Sequence, residues 1–535
     1  MSGFALKKLI FTAISLLTIC AANPKDAYAN NASLAQKDNI NQVANQAISQ
    51  AICVEQLPEA IAKIVKTSDY QRSRIGVFVQ TNQPQPKVLA DFDGDRLFMI
   101  ASNTKLFTTA IALRTLGADY QFTTKLRSAS RPNAQGELVD GLWIEATGDP
   151  SFKRSDLQNL VKQLKAQGVK RIQSGIWATT SRRGGEIAGS WEWQDLQEYY
   201  AAIASPFTIN ENSLDWQISP NQQVGKPAIF TWQDPELSQE WQVENLSVTV
   251  EANDLFDLQV VRPYGKKQII ITGRIPKDVT SELGAVAIPN PKTKFLEMLR
   301  QELIAQGIAI PDELSRSKNN SVLASTLANQ DLAVHQSAPL LELVVATNKS
   351  SNNLYAELLL RAVGDRYRQT LNTNTNNNYL TISKDKHHEE DSDSNGMIAM
   401  QQYLQSQNID PDDIALADGS GLSRHNLATP RAIAKLLHVI ANDKMVGKYF
   451  RQSLPIAGVD GTLTRRFSNS DAKGLLQAKT GTLTGAIALS GYAQSPKYGE
   501  VIFSIMVNHA HLPNRKIQQD IDAIATLLTR LHSCN

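Results

Sequence analysis

Three short motifs, spread over most of the chain, constrain its fold more than any other feature. They are S-x-x-K at Ser102 and Lys105, S-x-N at Ser351 and Asn353, and K-T-G at 479–481. Together they supply a nucleophile, groups that transfer protons and an anchor for a substrate. The fold must therefore bring the two ends of the chain together around a long intervening region.

The S-x-x-K pattern is weak alone, because it recurs at 315–318, 383–386 and 470–473. We choose Ser102 because it directly precedes an apolar stretch, 105–116, that reads as a helix ending at Gly117. Such a helix must be buried, so its first turn lies against other parts of the fold. At the other three matches, a serine N-cap with an exposed lysine is the simpler interpretation.

Lys105 lies three residues after Ser102, on the same helical face, and is the candidate base. A serine hydroxyl is a poor nucleophile until a neighbour takes its proton. Partial burial and a nearby cation such as Lys479 would both lower the pKa of Lys105, so that it can be neutral near pH 7.

The second motif has two registers, because 350–352 fits S-x-N as well as 351–353 does. We choose Ser351 and Asn353, since 354–357 then continues a helix. The hydroxyl can pass a proton to the leaving amine, and the carboxamide can hold the substrate's backbone amide. A polar helix start is the alternative, because serine and asparagine favour such positions.

The third motif begins a strand that resembles the edge of a sheet, where an extended peptide can pair. Gly481 lets another backbone approach closely. Lys479 and the hydroxyls of Thr480 and Thr482 would meet a terminal carboxylate. The backbone N–H groups of Ser102 and Thr482 form the natural oxyanion pair. A lysine that simply opens a surface strand is the alternative.

Alternating apolar residues predict five strands, two before the intervening region and three near the end of the chain. They lie at 74–81, 88–98, 477–483, 486–493 and 501–507, and the second is interrupted by a hairpin-type turn at Asp93-Gly94-Asp95. We expect one five-stranded antiparallel sheet, with helices at 57–65 and 516–531 covering one face. The fold class is α/β.

This pattern divides the chain into a discontinuous catalytic domain, 30–119 and 336–535, and an inserted, mostly β region, 120–335, of two subdomains. Within the catalytic domain, 372–395 is low-complexity and reads as a solvated loop. His387 and His388 in this segment lack the spacing of a metal site. We expect no metal and no cofactor, because no metal-binding or phosphate-binding motif occurs.

Residues 1–29 read as a signal peptide, with Lys7 and Lys8 before a short apolar stretch and a cleavage pattern at 27–29. The protein is then periplasmic or secreted. An uncleaved anchor, lipidation at Cys20 and peripheral association with a membrane stay open as alternatives.

Cleavage after residue 29 would lower the formal net charge from +2 to zero, which argues against a nucleic-acid partner. It would leave two cysteines, Cys53 and Cys534, and an oxidising compartment favours a disulfide between them. Cys53 precedes the first predicted helix and Cys534 follows the last, so antiparallel packing of these helices would bring them together. Two unrelated thiols are the alternative.

The chain resembles the D-alanyl-D-alanine carboxypeptidase/endopeptidases of the penicillin-binding protein 4 type over nearly its whole mature length. The three motifs, in this order, occur in penicillin-interacting serine enzymes. The long insertion is also typical of this type. Further stretches that match the family lie at 147–150, 191–195, 418–424, 457–463, 479–483 and 489–492.

The resemblance implies a transpeptidase/β-lactamase-like domain and cleavage of D-Ala–D-Ala ends or D-amino-acid cross-links in peptidoglycan stem peptides. Ser102 would be acylated, and penicillins would be trapped there. The resemblance also implies that Asp149 and Arg424 line the donor side of the site.

Two other functions are also compatible with the three motifs. A β-lactamase would use the same motifs, but its inserted region is far shorter. A non-enzymatic protein that binds peptidoglycan or senses penicillin would not need Ser102, Lys105 and Lys479 intact.

Overall fold

The computed structural model describes residues 51–180, 187–311, 329–373 and 391–534. The predicted signal peptide, the histidine pair at 387–388 and the S-x-x-K matches at 315–318 and 383–386 lie outside these residues. The helices of the described residues are α1 Leu57–Val65, α2 Thr104–Leu116, α3 Arg154–Ala166, α4 Pro291–Ala305, α5 Leu340–Lys349, α6 Asn353–Thr373, α7 Ser392–Ser406, α8 Pro430–Asn442, α9 Gly447–Ser453 and α10 Asn514–Leu528. None of them combines the length and the apolar composition that crossing a bilayer requires.

The central sheet is five-stranded and antiparallel, as the alternating pattern predicts. Its strands follow the order Leu476–Leu483, Ala486–Ser495, Gly499–Asn508, Arg74–Thr81 and Val88–Phe92. The strand with the third motif is therefore an edge strand. The early and late parts of the chain meet where Arg74–Thr81 pairs with Gly499–Asn508.

The strand predicted at 88–98 is interrupted at 93–95, as the Asp93-Gly94-Asp95 sequence predicts, and its first part is Val88–Phe92. Asp93 has a φ of +47°, a left-handed backbone that a continuing strand does not adopt. The chain turns here, and Phe98–Met99 pairs instead with Leu427–Ala428 in a separate small sheet. This second pairing leads the chain directly into the first motif.

Both faces of the central sheet are buried. Val77 and Val79 point to one side, where they join the apolar cluster of α1 and α10. Phe78, on the opposite side, joins the cluster that contains α2 and α8. Because successive side chains of a strand point to opposite faces, this short apolar run stabilises the packing of helices on both sides.

Helix α2 runs through the interior, and every residue from Thr104 to Leu113 is buried. Six of these ten residues are apolar, and the four polar ones, Thr104, Lys105, Thr108 and Thr109, have hydrogen-bond partners inside the protein. The helix ends at Gly117, whose φ of +86° suits glycine. Lys105 therefore lies in the first turn of a buried helix.

The inserted region starts and ends side by side. Its first strand, Thr123–Ser128, pairs antiparallel with its last, Gln330–Gln336. The other neighbour of Thr123–Ser128 is Leu142–Ala146, which in turn pairs with Ile176–Thr179. Because the inserted region leaves and rejoins the catalytic part at neighbouring strands, it does not separate the two segments of that part. The boundaries at 120 and 335 stay predictions.

The remaining strands of the inserted region are short. They form the groups Ile229–Trp232, Ser213–Ser219 and Glu282–Ala287; Gln242–Asn245, Gln268–Thr272 and Gln259–Val261; Val248–Val250 and Arg274–Pro276; and Glu137–Leu138 and Arg171–Ile172. One apolar cluster joins α3 and α4 to several of these strands. The division into two subdomains remains a prediction.

The segment 372–395, interpreted from the sequence as a loop, is partly helical. Helix α6 continues through Thr373, and α7 begins at Ser392. The Asp391 side chain accepts a hydrogen bond from the Asp393 backbone N–H and so caps α7. Residues 374–390 lie outside the described part of the chain.

The two ends of the described chain are joined. Ile52–Cys53 pairs in parallel with Leu531–His532. Cys53 and Cys534 form a disulfide whose Cα atoms are 4.9 Å apart, a separation that disulfide geometry allows.

Candidate active site

Ser102 lies in a short 3₁₀ turn, Ala101–Asn103, immediately before α2. Ala101 has a φ of +48°, which is uncommon for a residue with a side chain. The Thr104 hydroxyl donates to the Ala101 carbonyl at 2.9 Å and fixes the turn. The tight turn presents the Ser102 hydroxyl at the start of the buried helix.

The Lys105 ammonium is fully buried and is surrounded by three acceptors. Its Nζ atom lies 3.0 Å from Ser102 Oγ, 2.6 Å from Asn353 Oδ1 and 2.6 Å from the Ser420 carbonyl. Burial lowers the pKa of Lys105 to about 7, against the opposing charges of Asp418 and Glu357. The amine can therefore be neutral near pH 7, as a base must be.

The structure places Ser351, and not Ser350, beside the other motifs. Ser351 has a φ of +60°, and its Oγ accepts a hydrogen bond from Lys479 Nζ at 2.8 Å. The Ser350 hydroxyl turns away and donates to the Ala346 carbonyl. Asn353 opens α6, and its carboxamide donates to the Tyr200 carbonyl at 2.7 Å while its oxygen accepts from Lys105.

Lys479 is also fully buried, and its Nζ donates to Ser351 Oγ and to the Thr480 carbonyl. Burial first, and repulsion from Lys105 second, hold the pKa of Lys479 well below its ordinary value. Both lysines are thus buried, and no carboxylate is among their hydrogen-bond partners in the described part of the chain.

Gly481 allows the edge strand to lie against the turn that carries Ser102. A Cβ atom there would lie 2.6 Å from the Ile100 carbonyl and 3.0 Å from Asn103 Nδ2. The Asn103 carboxamide also donates to the Lys479 carbonyl at 3.2 Å. The backbone that approaches Gly481 closely is therefore that of the turn that carries Ser102.

The two threonines of the third motif lie along the open edge of the sheet. Thr482 is exposed, and Thr480 is partly exposed. The Thr480 hydroxyl donates to Thr462 Oγ1 at 2.9 Å. Their hydroxyls can thus meet a ligand that pairs with the edge strand.

Asp149 and Arg424 occupy different surroundings. Asp149 is buried in the inserted region, where its carboxylate accepts from Ser151 and contacts His335 Nε2 at 3.0 Å. Arg424 donates to Glu192 Oε1 at 2.6 Å and to the Thr484 carbonyl at 2.8 Å. Arg424 thus joins the inserted region to the hairpin of the edge strand, and both proposed roles stay predictions.

The loop at 418–423 belongs to the site, although its contribution was not predicted. Asp418 accepts from the backbone N–H groups of Gly421 and Ser423, both at 2.6 Å, and from Asn426 Nδ2 at 2.8 Å. This tight turn directs the Ser420 carbonyl at Lys105. Backbone acceptors leave no pattern in a sequence, so the family-like stretch at 418–424 was the one sequence signal for this loop.

The inserted region also reaches the site, through residues 191–200. The Trp191 indole donates to Asp418 Oδ2 at 2.9 Å, and the Tyr200 carbonyl accepts from Asn353. The Tyr200 hydroxyl donates to Asp195 Oδ1 at 2.9 Å. The site is therefore built from both parts of the chain.

The alternative S-x-x-K match that the structure describes has different surroundings. Lys473 is exposed and Ser470 is partly exposed, in a surface turn. Among the described residues, the group of potential metal ligands close enough to share an ion is Cys53, Glu55 and Cys534, and the disulfide occupies both thiols.

The arrangement has the parts that acyl transfer requires. A serine hydroxyl lies next to a buried amine, a second hydroxyl contacts a second buried amine, and an open strand edge runs beside both. Such a site can form an ester on the serine and pass its proton to a leaving group.

Comparison with known proteins is consistent with this chemistry. The D-Ala-D-Ala carboxypeptidase 3 (S13) family matches residues 57–380 and 372–530. A D-alanyl-D-alanine carboxypeptidase of Actinomadura sp. is 30% identical over 78% of this chain and 74% of its own length. Penicillin-sensitive carboxypeptidase A of Dictyostelium discoideum is 29% identical over 81% of this chain and 82% of its own length.

The fold also has solved relatives. The crystal structure of penicillin binding protein 4 from Haemophilus influenzae superposes with a TM-score of 0.70, covering 88% of this chain and 99% of that one. At 24% identity this likeness establishes the fold. A complex of the same protein with a β-lactam superposes with a TM-score of 0.65 at 25% identity, covering 86% of this chain and 97% of that one.

Proposed function

The chain belongs to the D-Ala-D-Ala carboxypeptidase 3 (S13) family, and from this premise we propose how its site works as a serine DD-peptidase of peptidoglycan. The observation that carries the proposal is the 3.0 Å contact between Lys105 Nζ and Ser102 Oγ, with the lysine fully buried. A serine next to an amine that can lose its proton near pH 7 is an activated nucleophile.

In the first step, Ser102 Oγ attacks the carbonyl carbon between the two D-alanines. Lys105 takes the hydroxyl proton as the new C–O bond forms. The backbone N–H groups of Ser102 and Thr482 stabilise the negative charge on the carbonyl oxygen. The product of this step is a tetrahedral adduct on Ser102.

In the second step, the adduct collapses and the bond to the terminal D-alanine breaks. The leaving amine takes a proton from the Ser351 hydroxyl, which regains one from Lys479 Nζ at 2.8 Å. The proton that Lys105 took from Ser102 passes in turn to Lys479, so that Lys105 is again neutral. Water then attacks the acyl-enzyme, with Lys105 as the base, and restores Ser102. The net reaction is hydrolysis of one peptide bond.

The substrate is held by the edge of the sheet. An extended stem peptide pairs with Leu476–Leu483, and the Asn353 carboxamide contacts its backbone amide. The terminal carboxylate meets the hydroxyls of Thr480 and Thr482, with the charge of Lys479 buried behind them. In a peptide held in this way, the scissile bond would lie next to Ser102.

A β-lactam is expected to acylate the same serine. The Haemophilus influenzae relative was crystallised with a β-lactam. A strained amide that carries a carboxylate would use the same nucleophile and the same anchor as the peptide. Penicillins therefore act as covalent inhibitors in this proposal.

The proposed place of action is outside the cytoplasm. Residues 1–29 have the charged, apolar and cleavage segments of a signal peptide, and peptidoglycan is an exported polymer. A disulfide between Cys53 and Cys534 suits an oxidising compartment.

The proposal is tested by incubating the purified mature protein with intact muropeptides and identifying the products by mass. Loss of one D-alanine indicates a carboxypeptidase, and separation of cross-linked dimers indicates an endopeptidase. Ser102→Ala should abolish both the products and labelling by a fluorescent penicillin, whereas Ser470→Ala should change neither. Turnover of nitrocefin without turnover of muropeptides would favour a β-lactamase instead.

A further inference from the structure

Glu357 is a buried carboxylate that the reaction scheme does not use. It lies on α6 four residues after Asn353, and therefore on the same helical face. The side chain is almost fully buried. Its Oε1 atom accepts hydrogen bonds from the backbone N–H groups of Gly419, at 3.1 Å, and Ser420, at 2.8 Å.

Ser420 connects this carboxylate to the base. While its N–H donates to Glu357, its carbonyl accepts from Lys105 Nζ at 2.6 Å. A neutral lysine amine has two N–H bonds and one lone pair. Asn353 Oδ1 and the Ser420 carbonyl accept the two N–H bonds, so the lone pair is left to face Ser102 Oγ at 3.0 Å.

We propose that Glu357 is a positioning residue: by holding the backbone at 419–420, it keeps the Ser420 carbonyl against Lys105 and so directs the lone pair of the amine at Ser102. The inference rests on the proposed function, because it requires Ser102 and Lys105 to act as nucleophile and base. Glu357 itself touches neither the substrate nor the reacting atoms.

The rest of the loop is held independently of Glu357. Asp418 binds the N–H groups of Gly421 and Ser423 and the side chains of Asn426 and Trp191. A change at Glu357 therefore frees two N–H groups at one point while the turn around them stays anchored. The expected effect falls on the alignment of Lys105 and not on the binding of the substrate.

The charge of Glu357 acts on the same amine. Burial, with repulsion from Asp418 and Asp393, raises the pKa of Glu357 to about 8, and its negative form raises the pKa of Lys105. The charged groups around Glu357 and Lys105 are Asp393, Arg361, Asp418 and Lys479. With a pKa of about 8, Glu357 is mostly protonated where Lys105 titrates, so a neutral replacement should change the pKa of Lys105 little.

Two substitutions separate geometry from charge. Glu357→Asp keeps the charge but withdraws the oxygen from the two N–H groups. Glu357→Gln keeps an acceptor and removes the charge. The measurement is acylation by a fluorescent penicillin over a range of pH, resolved into the binding constant and the acylation rate constant.

For Glu357→Asp we expect the acylation rate constant to fall about 10- to 100-fold, because small misplacements of a base have effects of this size. The binding constant should stay within about twofold, since the loop keeps its other anchors. For Glu357→Gln, which keeps an acceptor for the two N–H groups, the acylation rate constant and the acidic limb of the pH profile should both stay close to those of the wild type. Asp522→Asn, which removes a partly buried, Arg466-paired carboxylate of α10, is the matched control and should leave both constants unchanged.

A Glu357→Asp variant that is acylated at the wild-type rate overturns the inference. If that variant does not fold, Glu357→Gln decides: an acylation rate constant close to the wild-type value supports the inference, because the acceptor is kept, and a loss as large as that expected for Glu357→Asp overturns it. Failure of the wild-type protein to be acylated or to cleave muropeptides contradicts the proposed function itself. Failures of the two proposals are thus distinguishable.

Discussion

The Nζ atom of Lys479 lies 2.8 Å from the Oγ atom of Ser351, a residue 128 positions earlier in the chain. This contact links the edge strand to the turn before α6. Because Lys479 and Lys105 are both fully buried and repel each other, the pocket disfavours two positive charges at once. A site with one proton to share between two amines is suited to moving protons.

The pH dependence of acylation should report Lys105. Burial lowers the pKa of this amine to about 7, and only its neutral form can accept the Ser102 proton. Below pH 7 the rate of penicillin acylation should therefore fall by about tenfold per pH unit, and above it the rate should level off. Lys105→Arg, whose side chain stays charged, should show no such rise; a flat profile in the wild type would contradict the assignment.

Lys479→Ala should reduce kcat/KM more for substrates with a free terminal carboxylate than for their amidated counterparts. Loss of a charge-assisted contact is worth about 1.5–3 kcal/mol. That range corresponds to about 10- to 150-fold in kcat/KM for the carboxylate substrate beyond the loss on the amide. Equal losses on both substrates would assign Lys479 to proton transfer alone, through Ser351.

Gly481→Ala should reduce both stability and activity. The new methyl group would lie 2.6 Å from the Ile100 carbonyl, so the edge strand must move away from the Ser102 turn. Overpacking of this kind costs about 1–3 kcal/mol of unfolding free energy. Gly189→Ala, where a Cβ meets nothing within 4 Å, is the control for thermal unfolding and for acylation; equal behaviour of the two variants would refute the clash.

The Cys53–Cys534 bridge should leave the mature protein without free thiols. Thiol titration of denatured, unreduced protein measures this directly, and two free thiols per chain would rule the bridge out. The bridge spans a sequence separation of 481 residues. Its reduction should lower the unfolding free energy by about 2–5 kcal/mol, a value that follows loop length only loosely. The Cys53→Ser, Cys534→Ser double variant should show the same loss without reductant.

Local periodicity was sufficient to predict the central sheet. Arg74–Thr81 has the predicted bounds, because the β-branched residues Val77 and Val79 recur at the period of a strand, although both faces of this strand are buried. At 88–98 the turn at Asp93 was predicted, but the pairing of Phe98–Met99 was not, because its partner, Leu427–Ala428, lies far along the chain. The start of α7 was missed because its cap, Asp391, lies in a run of charged residues typical of loops.

The three motifs were predicted from the sequence, but the groups that hold them together were not. Glu357 resembles any glutamate of a helix until its partners, 62 and 63 positions away, are known. The carbonyls of Ser420 and Tyr200 are backbone groups that every residue carries, so no residue type in the sequence points to them. One signal was available, since Glu357 follows Asn353 by one helical turn.

The partners of Lys105 come from positions 353 and 420, and its neighbouring cation from 479. A chain that emerges amino end first therefore exposes Ser102 and Lys105 long before the residues that desolvate the amine. Until then Lys105 is an ordinary solvated ammonium, protonated at neutral pH, and it cannot activate the serine. The nucleophile is consequently latent during synthesis, and it becomes reactive only when the last strands of the sheet have joined the first.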